Sequence, residues 1–190
     1  MARGLPFLVV FSILFTTAGP ARAIKDPETG VTFPDQVKCD GEQAKAAGVG
    51  VREATFGVDV YGVVVYVSPK AKGKSIRATD ECVLLRAKFV RDVGVDKITE
   101  AWNKGFKKYG VAGSAQAKKF LSVIKKEMKK FGNMTMMVHG DKVVHKFMGG
   151  SVTVKGAKKL GAAIKKIYLG GGSPTPKLIK DVSKRGFAKP

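Results

Sequence analysis

The sequence has only two cysteines, two histidines and one tryptophan in 190 residues, and beyond its first 23 residues it has no long apolar run. The cysteines, Cys39 and Cys82, form neither a CxxC nor any other ligand-spaced pair, which removes a thiolate metal site; a disulfide between them and two buried thiols both remain open. The histidines, His139 and His145, flank Gly140-Asp141. A two-residue hairpin there sets His145 opposite Met136, on the face away from His139, so the imidazoles point apart and no metal is expected. There is no Ser/His/Asp or Cys/His arrangement. "LGGGSP" lacks the pattern of a phosphate-binding loop and reads as a helix end and linker. No cofactor is expected.

Acidic residues are scarce in the second half. From Ile24 to Trp102, 12 basic residues face 12 acidic ones; from Asn103 to Pro190, 21 basic residues face only Glu127, Asp141 and Asp181. This balance fits nucleic acid, an anionic membrane or an anionic polymer touching the lysine faces equally well, and those faces also read as the solvated sides of helices that cover a sheet. Aromatics do not interleave with the lysines as a stacking platform requires, so no specific nucleic-acid partner is expected.

The segment "MARGLPFLVVFSILFTTAGPARA" has an early arginine and an apolar run from Leu5 to Phe15. Gly19-Pro20 follows, and Ala21-Arg22-Ala23 is a small-x-small end. It reads as a signal peptide over residues 1–23, leaving one exported domain over 24–190, periplasmic or secreted. The run is short for a membrane span.

"GVGVREATFGVDVYGVVVYV", residues 48–67, reads as two strands around a tight turn, and "ECVLLRAKFVR" as a third. Ile98, Trp102 and Phe106 mark a helix starting near Val95. "SAQAKKFLSVIKKEMKKFG" has Ser114 as N-cap, Gly132 as terminator and an apolar arc from Ala117 to Phe131, predicting a long helix with lysines on its far side. "GEQAKAAG" reads as a turn or brief helix. A hairpin about Gly140, the strand "SVTVKG", a helix with Leu160, Ala163, Ile164, Ile167 and Tyr168 on one face, and a final helix "PKLIKDVSKRG" complete the chain. Segregated runs of strands and helices predict an α+β fold, an antiparallel sheet with helices over one face.

The opening hairpin sets an arginine and a tyrosine into an apolar run. An even-length loop centred on Thr55-Phe56 places Arg52 opposite Asp59, with Tyr61 its diagonal neighbour on the same face. The spacing permits two outcomes. One is a cross-strand Arg52–Asp59 ion pair. The other is an arginine and a phenol converging on one anionic group, for which the guanidinium fork is suited.

The blocks "GVGVREATFGVDVYGVVVYV", "LLRAKFVRDVGVDKITEAWNKGF" and "KKLGAAIKKIYLGGGSPTPKL" resemble, in order and spacing, successive parts of the chalcone isomerase-like family, over about Val31 to Val182. The resemblance implies an antiparallel sheet with helices packed over one face and a ligand cleft between them. In true chalcone isomerases an arginine steers the substrate while a threonine, a tyrosine and an asparagine organise the cofactor-free ring closure. The arginine matches Arg52, and Tyr61 takes the place of the threonine. The tyrosine and asparagine fall at about Gly94 and at Ala101, and the polar residue of the late helix falls near Lys159. An arginine with a tyrosine is the pattern of the fatty-acid-binding branch. The resemblance therefore implies a non-catalytic protein that holds a fatty acid or similar apolar carboxylate on Arg52 and Tyr61. The alternatives are an isomerase of the intramolecular lyase type using the same two residues, and a basic protein for anionic lipid or polymer.

Overall fold

The valine run of residues 63–67 is buried on both sides, as a strand between two apolar layers requires. In the computed structural model, which describes residues 22–54 and 57–190, that run lies in a seven-stranded antiparallel meander. Its strands are β3 (Gln36–Cys39), β4 (Glu42–Glu53), β5 (Asp59–Val67), β6 (Val83–Phe89), β7 (Asn133–His139), β8 (Lys142–Phe147) and β9 (Gly150–Val154), paired in chain order. Among the described residues four α-helices accompany the sheet: α1 (Val95–Lys108), α2 (Ala115–Leu121), α3 (Lys158–Leu169) and α4 (Pro176–Arg185). Residues 1–21, most of the expected signal peptide, and Thr55-Phe56, the expected centre of the turn, lie outside the described residues.

One face of the sheet carries Val63, Val65, Val83, Leu85, Met134, Met136 and Phe147, which join Trp102, Phe106, Phe120, Ile164, Tyr168 and Leu178 of the helices in one core. The other face carries Val49, Val64, Tyr66 and Leu84. It is covered by Ile24, Val31 and Phe33 of a small hairpin, β1 (Ala23–Lys25) with β2 (Thr32–Pro34). Cys39 and Cys82 are joined in a disulfide on this second face, with Cα atoms 6.0 Å apart. Among the described residues no helix is long and apolar enough to cross a membrane.

Two local expectations are corrected. "GEQAKAAG" is the first half of β4, pairing with β3 and β5, because cross-strand partners on both sides override its alanine-rich helix propensity. The long helix from Ser114 stops at Leu121. Ser114 does cap it, accepting from Ala117 N–H at 3.1 Å. Beyond it stand the β-branched pair Val123-Ile124 and lysines at 125/129 and 126/130, like charges one helical turn apart. The extended alternative offers better bonds. Val93 and Met128 exchange two backbone hydrogen bonds (2.8 and 2.9 Å), Lys130 N–H donates to Asp92 (2.7 Å) and Phe131 N–H donates to Phe89 (2.8 Å). Ile124 and Met128 stay buried, as in a helix, while those lysines sit on an irregular segment.

Candidate functional site

Along β4 the residues facing the helices are Gly48, Gly50 and Arg52. A Cβ on Gly50 would lie 2.3 Å from the backbone nitrogen of Leu178, and one on Gly48 would lie 2.9 Å from that of Val182. The two glycines therefore let α4 rest directly on the strand. Leu178 belongs to the first turn of that helix, so Arg52 is the first inward position past its footprint.

The register differs from the expected one. Arg52 stands directly opposite Tyr61, and Asp59 opposite Glu53, with a shift between Arg52 and Glu53. Two one-residue steps account for this: Ala54 N–H donates to the Val58 carbonyl (2.8 Å), so the connection is odd-numbered, and the bulge adds a further residue on the β5 side, leaving Asp59 off the arginine's rung. Asp59 instead lies near Glu28 and Glu53, with all three carboxylates inside 4.8 Å. Lys177 bridges Glu28 (2.5 Å) and Glu53 (2.9 Å). Burial, and then the neighbouring Glu28 and Glu53 charges, raise the Asp59 carboxyl above its usual range. The Arg52–Asp59 ion pair is absent, and among the described residues no carboxylate pairs with Arg52.

Directly opposite residues have Cβ atoms about 5 Å apart, so Arg52 and Tyr61 share one inward rung of the sheet, with Phe89 beyond (ring centroids 4.9 Å from Tyr61). The Tyr61 hydroxyl donates to the Tyr168 hydroxyl of α3 at 3.4 Å. Both phenols are buried, and Arg52 is half-buried beside them. Burial raises the pKa of Tyr61, against the opposing pull of the Arg52 charge; Tyr168 is raised well above its usual value by burial and by Tyr61. With the Tyr61 O–H given to Tyr168, the Tyr168 O–H and the Arg52 guanidinium remain as donors for an anion, and no carboxylate among the described residues takes them.

Tyr168 is the site residue that sequence reasoning missed as such; it was placed only on the apolar face of its helix. A buried phenol needs a partner for its hydroxyl, and that was the available signal. Gly94, Ala101 and Lys159 are all exposed and contribute nothing to this cluster. Inward of Tyr168 the space is filled: Trp102 contacts Tyr168, Phe106, Phe120 and His145. His145 stacks on Phe120 (4.0 Å) and donates from Nδ1 to its carbonyl (2.9 Å), while Nε2 has no partner among the described residues. Burial pushes this imidazole down to about 4. His139 faces the other side, against Asp40 (2.7 Å), so the two rings are apart as the hairpin spacing predicts.

The sequence profile of the family described as chalcone isomerase-like matches residues 27–181. Among solved structures, the chain is similar to the fatty-acid binding protein of Arabidopsis thaliana, with TM-score 0.69 and 18% identity, over 87% of this chain and all of that one. No curated protein matches it in sequence.

Proposed function

We propose, for a chain that belongs to the chalcone isomerase-like family, that it is a non-catalytic binding protein for a fatty acid or similar apolar carboxylate. The observation that carries this reading is Arg52, inward-facing and without a carboxylate partner among the described residues, beside the buried pair Tyr61–Tyr168. Guanidinium and phenol donors around one carboxylate form charge-assisted hydrogen bonds that water replaces poorly in a buried setting.

The isomerase alternative has less support. A general acid or base works best with a pKa near the operating pH, and both phenols are shifted away from neutrality. The positions corresponding to the isomerase tyrosine and asparagine carry Gly94 and Ala101. Chalcone cyclisation should therefore not exceed the buffer rate, and turnover above about 1 per second would reverse this judgement. We also propose export with cleavage after Ala23, which the Cys39–Cys82 disulfide supports because such bonds persist in oxidising compartments.

Organic extraction and mass spectrometry of the purified mature protein test the binding reading. Near-stoichiometric fatty acid is the expected result. Absence of bound carboxylate, together with no saturable uptake of a fluorescent fatty acid, rejects it.

A further inference from the structure

A concavity of about 660 Å³ runs along the flank of α3, and neither Arg52 nor Tyr61 lines it. Lys158, Ala162, Lys165 and Lys166 line one wall, at spacings that place them on one side of a helix. The facing wall is the segment 75–80, with Arg77 and Asp80. Lys165 lies off the apolar face of α3 and is nevertheless only 4% exposed.

Burying an ammonium is costly unless its donors are satisfied. Lys165 has three donors, and among the described residues its one hydrogen-bond partner is the Thr79 carbonyl. Desolvation lowers its pKa, as expected of a cation short of partners. Asp80 is the pocket's one lining carboxylate, and it is engaged by Lys158 at 3.1 Å. Arg77, Lys165 and Lys166 have no carboxylate partner among the described residues. Arg77, Lys165 and Lys166 thus line one concave site whose remaining walls include Val138 and Tyr109; the charged neighbours that act on Lys165 are Asp80 and Lys158.

We propose that this pocket is a second ligand site, taking a phosphate-type anion on Arg77, Lys165 and Lys166, with the remainder of the ligand against the apolar wall. A guanidinium fork with two ammonium groups suits a phosphate, whose oxygens accept from several directions. Two sources carry that group: a free phosphorylated small molecule and the head group of an anionic lipid.

The test is calorimetric titration of the mature protein with inorganic pyrophosphate near physiological salt, in parallel with co-sedimentation on phosphatidylglycerol and phosphatidylcholine vesicles. Three variants are compared with the wild type: Arg77→Ala/Lys166→Ala, whose side chains are exposed; Lys165→Met, which keeps the stem; and Lys125→Ala/Lys126→Ala/Lys129→Ala/Lys130→Ala, away from the pocket. One saturable pyrophosphate site, weakened at least tenfold by the first two variants and less than twofold by the third, supports the proposal with a free ligand. Phosphatidylglycerol binding lost in the same pattern supports it with a lipid source. If Lys165→Met is poorly folded, the exposed double variant decides alone. No saturable binding in either arm, or an equal loss in the distant quadruple variant, overturns the proposal.

Discussion

The sheet carries two tyrosine–arginine pairs, one on each face, and they differ in what the phenol finds. On the hairpin-covered face, Tyr66 donates to the Pro34 carbonyl at 2.9 Å, and Arg86 lies over its ring at 5.9 Å. On the helix-covered face, Tyr61 donates to another phenol, Tyr168, and feels the charge of Arg52, which stands directly opposite it with no carboxylate partner among the described residues. Burial raises the pKa of both, that of Tyr66 to about 12. An arginine beside a tyrosine in a sheet is thus not by itself a site. What separates the two is whether the protein supplies the acceptor. Tyr66 ties the β1–β2 hairpin to the sheet, whereas the Tyr61 rung presents donors.

The largest expected effect lies on the hairpin-covered face. The disulfide spans a sequence separation of 43 residues, and a loop of that length is worth about 4 kcal/mol by chain entropy. Cys39→Ala/Cys82→Ala should lower stability by about that amount in denaturant melts while leaving the fatty-acid affinity of the folded fraction intact. A matching loss of affinity would mean that the two faces are coupled.

Acid should act on the other face. His145 is neutral in the fold down to about pH 4, whereas the unfolded residue protonates near its ordinary value of 6.5. The folded pKa is depressed, so its contribution is present above pH 6.5 and is lost as pH falls toward 4. That window corresponds to about 3 kcal/mol. The drop in stability between pH 7 and pH 4 should be smaller by about this much in His145→Phe, read from paired melts. An identical drop in both proteins would place the acid sensitivity elsewhere.

Smaller effects come from removing single hydroxyls. Tyr61→Phe should weaken fatty-acid binding by about 1.5–3 kcal/mol, the range for a hydrogen bond to a charged group, with little change in melting. Tyr66→Phe should do the reverse, costing about 1 kcal/mol of stability and leaving affinity unchanged. If both variants affected stability alone, the contrast between the two faces would collapse.

The α+β class and the order of elements were legible because hydrophobic period separates strands such as Leu84–Phe89 from helices such as Leu160–Tyr168. The family was legible from the order of its motifs. What was not legible depended on partners distant in sequence. The chain after Leu121 leaves the helix to bond Val93 and Phe89, more than thirty residues earlier. The rung shared by Arg52 and Tyr61 depends on a bulge that no local pattern near Thr55 announces. Tyr168 could be placed on a buried face, but its meeting with Tyr61, 107 residues earlier, is a matter of tertiary packing.

The central claim is that Arg52, unlike Arg86, holds a carboxylate. Titration of a fluorescent fatty acid against wild type, Arg52→Ala and Arg86→Ala tests it most directly. Arg52→Ala should lose about 2–5 kcal/mol of binding free energy, as when one partner of a buried charged hydrogen bond is removed, and Arg86→Ala should bind as the wild type does. Equal affinity for wild type and Arg52→Ala would contradict the account.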